Sequence, residues 1–98
     1  MAFPVIKGVP LKVNVKLVTR DSARNFKCEL ATTESISADG FLCICSTTLL
    51  QDAVMDVYLV GQEDRYVGNA RLVRTEAAGT AWPRYGFQFL EKNQDWLF

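Results

Sequence analysis

Histidine is missing from the chain altogether. Its absence removes the one side chain that ordinarily titrates near neutrality. With it go the usual general base, the usual proton shuttle and the commonest zinc ligand. Net charge is missing too, because 11 basic side chains balance 11 acidic ones. A protein built to grip DNA or RNA carries a basic excess, so dedicated nucleic-acid binding is set aside. No apolar run is long enough to cross a bilayer as a helix, and the first residues do not read as a signal peptide. Cysteine is scarce and unpaired: Cys28, Cys43 and Cys45 form an odd set without Cys-x-x-Cys spacing. They read as small buried apolar groups in a cytosolic, reducing compartment. Nothing repeats, and no tract is of low complexity.

These gaps also weigh against an enzyme. There is no activated cysteine setting and no phosphate-cradling loop. The acids Glu29, Glu34, Asp39, Asp52 and Asp56 show no pairing that suggests acid–base chemistry. No catalytic residue, metal ligand or cofactor is expected.

What is present is a single domain over residues 1–98, with 49% hydrophobic residues, enough for a modest core. Residues 1–10 read as a lead-in, because Pro4, Gly8 and Pro10 forbid a regular helix. Leu11, Val13, Val15 and Leu17 then alternate with Lys12, Asn14 and Lys16, a period-2 strand. Residues 19–25 form a polar hairpin loop. Residues 26–36 predict a second strand with Phe26, Cys28 and Leu30 on one face and Lys27 and Glu29 on the other. Residues 41–45 read as a central apolar strand. Residues 47–52 make a connection with room for one helical turn. Further strands are expected at 53–60, 65–75 and 85–89. The tail, 91–98, carries Trp96, Leu97 and Phe98, which are expensive to leave wet and so pack on the barrel or on a partner. The fold class is all-β: a small six-stranded antiparallel barrel spanning about 11–90, with at most one short helical turn.

The chain is organised around Ser35-Ile36-Ser37-Ala38-Asp39-Gly40 and the apolar Phe41-Leu42-Cys43-Ile44-Cys45 that follows. Asp39-Gly40 between apolar runs favours the positive backbone angles of a tight hairpin. The same stretch offers backbone amides and two hydroxyls to a ligand, with no side chain at Gly40 to obstruct it. Both readings stand at this level.

The order of features resembles a PilZ domain, the bacterial six-stranded barrel that senses cyclic di-GMP. The resemblance covers roughly residues 5–92. It is carried by Ser35–Gly40, Leu49-Leu50, Val54–Leu59, Gly68-Asn69-Ala70-Arg71-Leu72-Val73-Arg74 and Tyr85-Gly86-Phe87-Gln88-Phe89. It implies a cytoplasmic signalling domain that binds the dinucleotide at the turn and relays it by ordering the lead-in. The family uses Asp/Asn-x-Ser-x-x-Gly together with Arg-x-x-x-Arg ahead of the first strand. Arginine forks onto phosphate or the guanine Hoogsteen edge, and a carboxylate accepts from the guanine donor edge.

Carried onto this chain, Ser37 and Gly40 match, and Ser35 stands where the family has Asp or Asn. The hydroxyl loses a bidentate contact worth roughly 1–3 kcal/mol by analogy with base readout. Lys7 occupies the region of the upstream arginines, as a point charge without their fork. Arg20-Asp21-Ser22-Ala23-Arg24 spells Arg-x-x-x-Arg but follows the first strand. At about 3.3 Å per residue, Arg24 would sit roughly 30 Å from Ser35. Arg20 and Arg24 therefore read as a solvated hairpin, with ligand binding the less favoured reading. An up-and-down strand order would gather Arg20, Arg24, Lys27, Arg74 and Arg84 at the end opposite the turn, near Trp82. Arg24, Trp82 and Arg84 are thus candidates for docking a protein partner. The expected function is cyclic di-GMP reception. Its alternative is a nucleotide-blind adaptor that keeps the barrel and binds a protein.

Overall fold

Alternation of apolar and polar residues dictates strands, and six of them close on themselves. The structure, a computed structural model, describes residues 8–19, 28–77 and 79–97. The strands are β1 (Asn14–Thr19), β2 (Cys28–Ile36), β3 (Gly40–Ile44), β4 (Val54–Leu59), β5 (Arg65–Glu76) and β6 (Arg84–Lys92). All neighbours are antiparallel, in the closed order β1-β2-β3-β6-β5-β4. The order departs from a simple meander because β3 pairs with β6 and β4 returns to β1. Closure leaves none of these six strands with an edge open to pairing. No helix occurs among the described residues.

The interior is filled by Val15, Leu17, Phe41, Met55, Val57, Leu72, Tyr85 and Phe87, among others, all buried. Phe41 and Phe87 stack at its centre, with ring centroids 5.2 Å apart. Cys43 and Cys45 are buried and Cys28 is exposed. Burial pushes the Cys43 thiol well above its usual range, so it stays protonated and is no nucleophile.

Several local expectations are corrected. The first strand begins at Asn14 rather than Leu11. Residues 11–13 still run beside β2, but Leu11 is exposed. Thr33 explains the irregularity: its hydroxyl donates to Leu11 O at 2.7 Å and accepts from Val13 N at 2.9 Å. The face of β2 that carries Cys28 and Leu30 is the outer one. Cys28 is exposed and Leu30 is 67% exposed, while Ala31, Thr33 and Ile36 point inward. A register shift between Thr33 and Ser35 resets the alternation, which is how residues 33 and 36 can share the interior. Phe26 and Lys27 lie outside the described residues. At 51–52 a tight turn replaces the expected helical one, with Asp52 at φ 65°. β6 runs on through Lys92, past the expected barrel limit.

The two ends of the barrel differ. At one end β2 turns into β3 through Ser37–Gly40. At the other, the 45–53 connection crosses from β3 to β4. Tyr85 ties it down, donating to Thr47 O and accepting from Leu49 N, each at 3.1 Å.

Candidate functional site

The 37–40 turn forms because one small polar side chain satisfies it from within. Ser37 N donates to Gly40 O at 2.9 Å. The Ser37 hydroxyl accepts from Gly40 N at 3.2 Å and from Asp39 N at 3.3 Å. This is the local capping that serine performs in turns. Neither Asp39 nor Gly40 has the positive φ expected of a primed hairpin turn. Glycine is needed at 40 for another reason: a Cβ there would lie 2.0 Å from Phe87 O, so β3 and β6 meet closely only without one.

The turn is held from outside by the C-terminal part of the chain. Phe89 N donates to Asp39 O at 2.8 Å, and Trp96 Nε1 donates to Ser37 O at 2.8 Å. The Lys92 ammonium donates to Ala38 O. Three consecutive carbonyls, 37 to 39, are thus each taken by a different C-terminal group. Trp96 is buried, its ring 4.8 Å from Phe89 and 5.6 Å from Phe41 between centroids. The expectation that the apolar tail covers the barrel holds for Trp96.

The N-terminal side arrives at the same place. Val9 and Ile36 exchange both backbone hydrogen bonds, at 2.9 and 3.0 Å. A Cβ on Gly8 would lie 2.2 Å from Ile36 O, so this crossing also requires a bare backbone. Gly8 therefore sits directly against the residue that precedes Ser37.

Of the residues singled out from the sequence, Ser35, Ser37 and Gly40 come together here. Ser35 is half-buried, opposite Leu42. Ala38 and Asp39 are exposed. Lys7, Arg20 and Arg24 lie outside the described residues. Trp82 and Arg84 lie at the opposite end, as the strand directions require. Arg84 is committed to Glu34, Nε to Oε1 at 2.5 Å, and Arg74 pairs with Glu76. Trp82, 67% exposed, lines a groove of about 440 Å³ with Leu30, Ile44 and Val60 on the outer face of β1 to β3.

Sequence reasoning missed Lys92 and Gly8. Lys92 is 54 residues from its acceptor, a separation no local pattern reveals. From the sequence, Gly8 reads only as a helix breaker. Trp96 left a signal, a large apolar residue near the end of a polar tail, but not its hydrogen-bond partner. No family model matches the chain, and no curated protein and no solved structure matches it.

Proposed function

We propose that this chain is a PilZ-like signalling barrel that receives cyclic di-GMP at the outer side of the 35–40 turn. The observation that carries the reading is the Val9–Ile36 bridge, which brings the lead-in to the turn and so unites the two segments the reading requires. On this reading Lys7 is the cationic partner of a phosphate. The roles within the turn are refined. Ser37 shapes the turn with its hydroxyl and contributes indirectly. Ser35, on the rim, meets the base edge. Gly40 keeps the strands close. Order gained by the lead-in on binding is the output.

A second reading is favoured by a different observation. The Ser37 hydroxyl and the carbonyls of residues 37 to 39 are already engaged within the fold. A turn saturated in this way suits a nucleotide-blind adaptor that binds a protein through the same barrel.

Calorimetric titration with cyclic di-GMP at physiological salt separates the two. The receptor reading expects micromolar binding that weakens in Lys7→Ala. It expects Ser35→Asp, which restores a bidentate acceptor, to tighten binding by about 10–100-fold. Absence of heat and of any thermal shift, in both the parent and Ser35→Asp, leaves the adaptor.

A further inference from the structure

We propose that residues 93–97 form a strap that reports the state of the turn: loosening the turn frees Trp96, and freeing Trp96 loosens the turn. The ligand-driven form of this coupling rests on the receptor reading. The contacts themselves do not.

The strap has an anchor and a latch. Its anchor is Asn93, whose backbone donates to Val67 O at 3.0 Å and whose side-chain amide donates to Tyr66 O at 2.8 Å. The same side chain accepts from Asp95 N at 2.9 Å, which folds the chain back toward the barrel. Beyond the anchor, two polar ties reach the barrel from the described part of the strap. One is the Arg65–Asp95 ion pair at 3.6 Å, exposed and therefore weak. The other is the latch, Trp96 Nε1 to Ser37 O, with the indole packed on Phe41 and Phe89.

The latch depends on a carbonyl whose direction the turn sets. The Ser37 hydroxyl, by accepting from Asp39 N and Gly40 N, and the Ser37 N bond to Gly40 O together hold the turn that presents Ser37 O to Trp96. Lys92, at the end of β6 and one residue before the anchor, grips the next carbonyl. The turn therefore cannot be remade by a ligand without disturbing the carbonyl acceptors on which the strap closes. A released strap uncovers the Phe41–Phe89 aromatic face. It also removes Asp95 and Leu97 from a hollow they line with residues 61–63. Linkage makes the effect reciprocal.

Trp82 is the only other tryptophan. Trp82→Phe therefore leaves Trp96 as the sole reporter of acrylamide quenching and emission wavelength. In that background Ser37→Ala and, separately, the surface change Lys92→Ala are expected to raise Trp96 quenching severalfold while melting stays cooperative. In the reverse direction, Trp96→Phe keeps the ring but loses the N–H, and is expected to speed hydrogen exchange at the Gly40 amide severalfold. The strap is overturned if Trp96 stays protected in both turn variants, or if exchange at Gly40 is indifferent to Trp96→Phe. Cyclic di-GMP supplies the last arm. Heat of binding with a red shift of Trp96 supports the strap, and heat with Trp96 unmoved overturns it. Absence of heat, with Trp96 still freed by Ser37→Ala, sinks the receptor reading and leaves the strap standing.

Discussion

Thr33 is a polar residue without solvent exposure, and its hydroxyl makes the start of the barrel possible. It supplies an acceptor to Val13 N and a donor to Leu11 O where the backbone has drifted out of ladder register. Thr33→Val keeps the shape and removes both bonds. Stranding two backbone groups costs about 1–3 kcal/mol, more than the mean worth of one hydrogen bond. Urea melts are expected to show that loss for Thr33→Val and a smaller one for Thr33→Ser, which keeps the hydroxyl. A larger loss for Thr33→Ser than for Thr33→Val would place the effect in the methyl group. Nothing in the sequence announced this role. Threonine at 33 read as a strand former, and its partners lie 20 and 22 residues away.

At the scale of elements, the strands were legible and their faces less so. Val15 and Leu17 alternate cleanly because β1 is regular there, and both are buried. Leu30 misled because a hydrophobic residue in an alternating run is normally inward. Here the shift at residues 33–35 moves the phase, and a bulge leaves no mark in composition. Between elements, Lys16 on β1 bonds Asp64 in the β4–β5 hairpin at 2.5 Å. That bond, more than anything else, holds the Asp64 carboxyl below its usual range and the Lys16 ammonium above its own. The signs follow. Asp64 contributes stability above its unfolded pKa, near 4, and that contribution fades as pH falls through its lower folded value. Lys16 contributes below its unfolded pKa and fades as pH rises through its higher folded one. Asp64 is exposed and Lys16 only half-buried, so the effect is small and salt-sensitive. At low salt, Asp64→Asn is expected to flatten part of the acid limb of Tm against pH. An unchanged limb would show that the pair does not hold in solution.

For the whole molecule, closure is the governing fact. Six strands and an antiparallel barrel could be read from alternation and turn residues, but the strand order could not. Which strands close the ring depends on pairings such as Phe41 with Phe87 and Leu17 with Val57, whose partners are far apart in sequence. The candidate site was legible on its near side, Ser35 to Gly40; on its far side the burial of Trp96 was legible, but its bond to Ser37 and the role of Lys92 were not. The reason is the same. Such non-local pairing also sets the rate of folding, since each loop must close before its contacts form. Stopped-flow refolding is expected in milliseconds to seconds. Microsecond refolding would mean that local structure, rather than ring closure, limits the process.

Gly8 lies against Ile36, and Trp96 reaches Ser37, the next residue along. The chain thus enters and leaves the barrel at one spot. A short bridge between these two places would make the backbone a circle without stretching any strand, and the circle could be reopened in the exposed 61–63 hairpin. The barrel is in this sense a ring whose starting point is arbitrary, and its pairing order would survive being read from a different first residue.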